Sequence, residues 1–374
     1  MKITLIGPTY PYKGGISHYT TTLANELSKS NEISVYSYTR QYPKIIYPGK
    51  EQKDSESKIR LKDNINCKYL LDTINPLSWI NCSLHIIHEK PDLIIFQWVH
   101  PFFAPIFYLI SKIIKEKLKI PVIYVCHNAL PHEKIPLIKK LSKMALSTAD
   151  GIIVHSKEDF DNLKEIIPNS NIKISVHPTY NIFSENEEHD LSKSKSEKIH
   201  QILFFGIVRE YKGLKYLINA MPKILSKINA ELVIAGEFWE NESEYLNEIE
   251  NLGIKKNIKL INEYIPDDEI SKYFKNTDIV ALPYISATQS GVIQIAYAFE
   301  KPVITTNVGG LPDVVDDGKT GFLVPPENSE KLADAIIKYF SENKKEEFIK
   351  NIRQKNKEFS WDRLIEDIFD LLKK

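Results

Sequence analysis

The chain has 374 residues, 43% hydrophobic and 26% charged, enough for two ordinary cores and well outside the composition of a disordered chain. Lysine plus arginine and aspartate plus glutamate each number 49, a balance that argues against a nucleic-acid binder, which needs a basic surplus to displace phosphate counterions. The three cysteines, Cys67, Cys82 and Cys126, stand in no paired or metal-like spacing, which argues against a disulfide framework or a zinc centre and fits a reducing cytoplasm.

In chain order, the opening MKITLIGPTYP has too short an apolar run for a signal-peptide core and reads as a first strand. Gly14 and Gly15 then stand between that strand and a helix predicted to begin near Ser17, either as a plain turn or as a helix start that offers free N–H groups to an anion. EISVYSY, DLIIFQW, PVIYVCH and GIIVHS follow as apolar runs rich in β-branched residues, suited to central parallel strands covered on both faces. The run from Leu93 to Leu118 is interrupted by Gln97, His100, Pro101 and Pro105, so it reads as a buried strand and a helix and not as a membrane span. His127, directly after a strand, is placed to meet a sugar hydroxyl or to cap a loop. HEKIPLIKKLSKMAL sets Ile135, Ile138, Leu141 and Met144 against Lys134, Lys139, Lys140 and Lys143, a pattern of a core-facing surface helix or of one lying on anionic lipid. Asp159 and Asp161 have the spacing of a metal-binding pair, but they follow VHSK as acids in a first helical turn do, so no metal site is expected.

Between Phe183 and Ile199 the chain is polar, and 184–198 reads as a linker or loop. QILFFG, AELVIAG, NIKLIN, DIVALP and PVITT then repeat the strand pattern, so the class is α/β with two doubly wound domains. The predicted limits are 1–183 for the first domain, 199–356 for the second, and 357–374 for a terminal amphipathic helix whose stripe is Trp361, Leu364, Ile365, Ile368, Leu371 and Leu372. Arg209 and Lys212 follow a strand and precede a helix, where two cations can hold a diphosphate or stand as a solvated pair. In LPYISATQSGVIQIAYAFEKPVITT, Ser286, Thr288, Gln289, Ser290 and Gly291 precede the apolar helical segment from Val292, so N–H groups and hydroxyls can converge on phosphate oxygens.

Taken together, GGI after the first strand, HN at 127–128, the run from Gly206 through REYKG, Gly236 with Glu237, EYIPDDEISKYFKNTDIVALP, KPVITTNVGGLPDVV and DGKTGFLVPP resemble the family 4 glycosyltransferases of the GT-B type, over nearly the whole chain. The resemblance implies two Rossmann-like domains facing across a cleft. It also implies a retaining, metal-independent transfer from a UDP- or GDP-sugar, with no further cofactor, to a glycan or lipid-linked acceptor in bacterial surface polysaccharide synthesis. The place would be the cytoplasm, with peripheral contact at the inner membrane face. Carried across, Arg209 and Lys212 would stabilise the leaving diphosphate and His127 would meet the donor sugar. Gly14, Gly15, Gly236, Thr288, Gln289, Ser290, Gly291 and Val292 would hold the donor's phosphates and sugar, and Tyr264 and Ile265 its base. The terminal helix with Trp361 would cross back onto the first domain. Two family glutamates, however, fall on Ala287 and Ile295, with Gln289 and Gln294 as the nearest substitutes. These losses suggest two alternatives, a non-catalytic nucleotide-sugar binder and a sugar-nucleotide epimerase, though an epimerase would need carboxylates for proton transfer.

Overall fold

The computed structural model describes residues 1–47, 51–54, 57, 59–129, 136–180, 183 and 199–373. The chain forms two compact units, Met1–His177 with Trp361–Lys374, and Pro178–Ser360. The predicted linker 184–198 lies outside the described residues. Residues 178–180, assigned by sequence to the first domain, pack with the second, where the Thr179 amide donates to the carbonyl of Phe359 at 3.0 Å.

The first unit holds a seven-stranded sheet built from β1 (Lys2–Ile6), β2 (Glu32–Arg40), β3 (Asn66–Asp72), β4 (Leu93–Trp98), β5 (Val122–Cys126), β6 (Gly151–Val154) and β7 (Ile172–Ile174). Its order is β3-β2-β1-β4-β5-β6-β7, with every pairing parallel. β4, β5 and β6 are buried along their whole length, which is why LIIFQW, VIYVC and GIIV carry apolar residues at nearly every position instead of alternating. β3 and β7 escaped the sequence reading: NCKYLLD is a half-exposed edge strand with mixed polarity, and IKI spans three residues. The order reverses between β1 and β4, where an open parallel sheet leaves a crevice at the carboxyl ends of its strands.

The second unit repeats the plan with six parallel strands, β8 (His200–Phe205), β9 (Ala230–Ala235), β10 (Ile258–Ile261), β11 (Ile279–Leu282), β12 (Val303–Thr306) and β13 (Gly321–Val324). Their order is β10-β9-β8-β11-β12-β13, so the reversal falls between β8 and β11. β13 was not foreseen, because GFLV is short and lies in a glycine-bearing loop sequence.

The Pro136–Leu146 helix turns Ile138, Leu141 and Met144 to the core and leaves Lys139, Lys140 and Lys143 exposed, so its apolar stripe is engaged within the unit; Ile135 lies outside the described residues. Among the described residues no helix is long and apolar enough to cross a membrane.

The Trp361–Asp370 helix completes the first unit. Leu364 and Ile368 are fully buried among Ile3, Leu23, Ile95, Ile123 and Ile153. Gly151 opens β6 because a Cβ there would stand 2.9 Å from the Cβ of Leu371. Lys173 of β7 pairs with Asp367 and Asp370, both at 2.8 Å, and fixes the helix end to the sheet edge. Leu364→Ala should therefore destabilise the first unit by roughly 2–5 kcal/mol, as buried leucine truncations do. Urea unfolding followed by tryptophan fluorescence measures this, and an unchanged midpoint would show that the helix is not part of that core.

Candidate active site

In the second unit the chain leaves β8 at Gly206, whose φ of +99° favours glycine. A Cβ at this position would stand 3.0 Å from Nζ of Lys212 and 3.7 Å from Cγ2 of Val292, so the ammonium hangs over the glycine beside the first turn of the Gly291–Ala298 helix. Lys212 ends a short 3-10 turn, Glu210–Lys212. The turn is held by Gly213, where a Cβ would overlap the carbonyl oxygen of Pro283 at 2.1 Å, and by the Ile285 amide, which donates to the carbonyl of Tyr211 at 2.7 Å. These two contacts bind the loop after β8 to the loop after β11 at the point of strand-order reversal.

Lys212 is buried, and among the described residues no carboxylate lies within ion-pair distance of it. The Tyr284 ring lies 5.7 Å from its Nζ. Burial first, and the positive charge of Arg209 second, push its pKa down to about 8. Arg209 itself is exposed, with its guanidinium 5.6 Å from the Tyr211 ring and 5.7 Å from that of Trp239. The facing helix is uncapped by any side chain: Ser290, its N-cap, makes a 3.2 Å hydrogen bond with the Tyr284 hydroxyl instead. A helix start without a side-chain acceptor, beside a buried ammonium that has no carboxylate partner among the described residues, has the chemistry to hold an anion.

The structure refines several sequence expectations. Gly291 is the first helical residue and has ordinary helical φ; a Cβ there would meet only Tyr180 Cε2 at 3.8 Å, so it is not required for an unusual backbone angle. Gly236 has a packing reason, since a Cβ would overlap the carbonyl oxygen of Gly206 at 2.2 Å. Thr288 is buried and its carbonyl accepts from the Gly310 amide at 3.0 Å, while Gln289 is half-buried. Ala287 and Ile295 are both buried, as is Gln294, whose Oε1 lacks a partner. Tyr264 and Ile265 follow β10 at the sheet edge, two strands from β8. Gly206 entered the sequence reading only as the start of the run through REYKG, with no role of its own, and Tyr284 and Trp239 were not singled out.

In the first unit the Gly15–Leu27 helix begins two residues earlier than predicted, with Gly14 as an N-cap at φ +101° and no side-chain cap. A Cβ on Gly14 or Gly15 would meet nothing within 4 Å. Tyr19, one turn on, packs edge-to-face on His127 with ring centroids 4.5 Å apart, and also meets His155, His177 and Trp361 at 5.4, 5.0 and 5.0 Å. His127 lies just after β5 and is only 5% exposed; its Nε2 is 2.8 Å from Oε1 of Gln97 on β4. Burial, with the other two imidazoles as lesser causes, holds its pKa well below the usual histidine range. His155 is lowered to about 4 by burial, against the opposing hydrogen bond to the Ser175 carbonyl at 2.7 Å. Asp159 is engaged structurally: it accepts from the Ala129 amide at 3.0 Å and from Ser156 Oγ at 2.9 Å, anchoring the loop after His127, while Ser156 caps the helix by accepting from the Asp159 amide at 3.1 Å.

The comparisons divide along the same two units. Residues 13–179 match the family model described as glycosyltransferase family 4, and 185–355 match that of the glycosyl transferases group 1. An uncharacterized glycosyltransferase of Methanocaldococcus jannaschii is 26% identical over 98% of this chain and 96% of its own length. A second from that organism is 30% identical over 50% of this chain and 51% of its own, and the matches to several further curated relatives likewise span about half of each. Among solved structures, HepE of Anabaena in complex with UDP aligns over 100% of this chain and 99% of its own with a TM-score of 0.75; at 16% identity this is a likeness of fold.

The buried imidazoles make stability depend on pH. A histidine whose folded pKa lies below its unfolded value near 6.5 binds fewer protons folded than unfolded, so its contribution is full above about pH 6.5 and is lost as pH falls toward 4. Between pH 7 and pH 5, His155 alone should weaken the first unit by on the order of 2 kcal/mol. Urea titrations at the two pH values check this, and His155→Phe should show the smaller acid loss; equal losses would place the linkage elsewhere.

Proposed function

The chain belongs to the group 1 glycosyltransferases of family 4, and from that premise we propose that it moves a sugar, with retention of anomeric configuration, from a UDP- or GDP-sugar to a glycan or lipid-linked acceptor. The setting we propose is bacterial surface polysaccharide or glycoconjugate synthesis on the cytoplasmic side of the membrane. One observation carries the reading: the buried Lys212 ammonium stands beside an uncapped helix start with no anionic partner among the described residues. A diphosphate supplies the missing partner.

As the bond between the anomeric carbon and the diphosphate oxygen breaks, negative charge grows on the leaving group. Lys212, Arg209 and the N–H groups from Gly291 onward lie where they stabilise that charge without rearranging, and such preorganised groups act most strongly at the transition state. The acceptor hydroxyl bonds to the same carbon, and its proton passes to the departing phosphate oxygen, a base adequate for the step where the family's carboxylate positions hold Ala287 and Ile295. His127, kept neutral by burial, would meet the donor sugar as a hydrogen-bonding group and not as a charged acid. A non-catalytic nucleotide-sugar binder is the second reading, favoured by those two apolar positions; slow donor hydrolysis in the absence of acceptor separates the two.

Lys212→Met should lower turnover about a hundredfold, equivalent to about 3 kcal/mol of barrier, with a smaller effect on donor KM. Steady-state kinetics with the best nucleotide sugar from a panel test this, and near-normal turnover would remove Lys212 from the reaction. Because Lys212, Arg209 and the helix N-terminus supply the positive charge, turnover should also persist in EDTA. Loss with chelator, restored by manganese or magnesium, would contradict that reading.

A further inference from the structure

The chain's zero net charge conceals a polarised first unit. The Pro76–Glu89, Ala104–Leu118 and Pro136–Leu146 helices lie on one face of its sheet, where Cys82 and Ile86, Ile110 and Ile114, and Ala145 and Leu146 enter a single core cluster. With the C-caps Lys90 and Lys119, these three helices carry eight lysines against two acids, Glu89 and Glu116. Glu89 pairs with Lys68, while Lys115 and Lys139 pair with Asp150 and Glu165. Eight less those two leaves six lysines, all exposed and without an ion pair among the described residues. The Lys157–Ile166 helix, last on this face, adds two lysines and four acids, of which Asp159 is buried and Glu165 is paired, so the basic surplus stays with the first three. The helices on the opposite face, Gly15–Leu27 and Trp361–Asp370, carry five acids and one arginine.

The basic layer also exposes apolar side chains. Leu77, Ile80 and Leu84 recur at i, i+3 and i+7 along the outer side of the Pro76–Glu89 helix, Leu77 74% and Leu84 59% exposed, whereas Cys82, Ser83 and Ile86 turn inward. Ile74 extends the stripe before the helix, and Leu137 is exposed beside the lysines of the third helix. We propose that this face docks on an anionic lipid bilayer. Leu77, Ile80 and Leu84 enter the headgroup boundary, and the lysines of the next two helices lie against the negative surface. A second copy of this chain fits the face less well, because a two-fold contact would set the unpaired lysines of one copy against those of the other. The Ile74–Leu77 end of the stripe follows the carboxyl end of β3, the end of the sheet at which the crevice between β1 and β4 opens. Docking there brings that crevice to the membrane and favours a lipid-linked acceptor over a free glycan. This last step rests on the glycosyltransferase reading; the docking does not.

The test is flotation of the full chain with vesicles of equal phosphatidylglycerol and phosphatidylcholine, and with phosphatidylcholine vesicles alone. The protein should float with the anionic vesicles, bind the neutral ones about tenfold more weakly or less, and be partly released by about 0.5 M salt, which screens the charges and leaves the apolar contact. Leu77→Gln combined with Leu84→Gln should lower the partition coefficient about tenfold. Lys112→Ala, Lys140→Ala and Lys143→Ala should each lower it about fivefold. These positions are exposed, so the thermal unfolding midpoint and slow donor hydrolysis without acceptor should match the wild type in every variant. Flotation without any donor hydrolysis would remove the glycosyltransferase reading and support the docking surface. No flotation with anionic vesicles, equal binding to neutral ones, or unchanged partition in the leucine variant would overturn the proposal. So would a dimer in analytical ultracentrifugation that the leucine variant abolishes, since the stripe would then belong to a second copy.

Discussion

A buried ammonium, Lys212, with no counter-ion among the described residues is the constraint around which the second unit is arranged. Taking a charge out of water without a partner is costly, and the depressed pKa of Lys212 expresses that cost. The chain nevertheless builds toward it. Gly206 leaves the space under Nζ, Gly213 lets the preceding turn close against Pro283, and the Tyr211 carbonyl ties that turn to the loop of Ile285. Ser290 bonds to Tyr284 and leaves the facing helix start without a side-chain cap. Each of these features has a small cost in stability, and together they make sense when an anion completes the site.

The fold dictates where this can happen. In each parallel sheet the strand order reverses once, between β1 and β4 and between β8 and β11, and loops diverge there to expose helix starts. In the second unit Gly206, Lys212 and Ser290 lie on those loops, whereas in the first Gly14 and Gly15 follow β1 and His127 follows β5. The chemistry differs: the second unit gathers cations and uncapped N–H groups, whereas the first gathers indole and imidazole rings around Tyr19. Deep burial keeps His127 and His155 uncharged near neutral pH, so that cluster directs hydrogen bonds without adding charge.

Much of this is legible in the sequence. Fully buried parallel strands need apolar side chains on both faces, which is why segments such as LIIFQW and VITT stood out, whereas the half-exposed edge strand at Asn66–Asp72 and the three-residue Ile172–Ile174 did not. Arg209, Lys212 and the Ser286–Gly291 loop were marked by their place between strand and helix. Their convergence was not readable, because it depends on contacts such as Gly213 against Pro283 between segments far apart in sequence. Gly291 is an ordinary first helical position, where a Cβ would make only a van der Waals contact with Tyr180. Gln97 was read only as an interruption of an apolar run, since its partner His127 lies on the neighbouring strand's loop.

The central claim is that Lys212 awaits a diphosphate, and the ionisation of that one amine tests it most directly. Lysine side-chain NMR, with Lys212→Arg for assignment, gives its pKa in the free protein and with saturating UDP. The account predicts a value near 8 in the free protein, moving well upward when UDP binds, because an adjacent anion stabilises the ammonium. The same pKa in both states, with UDP bound, would contradict it.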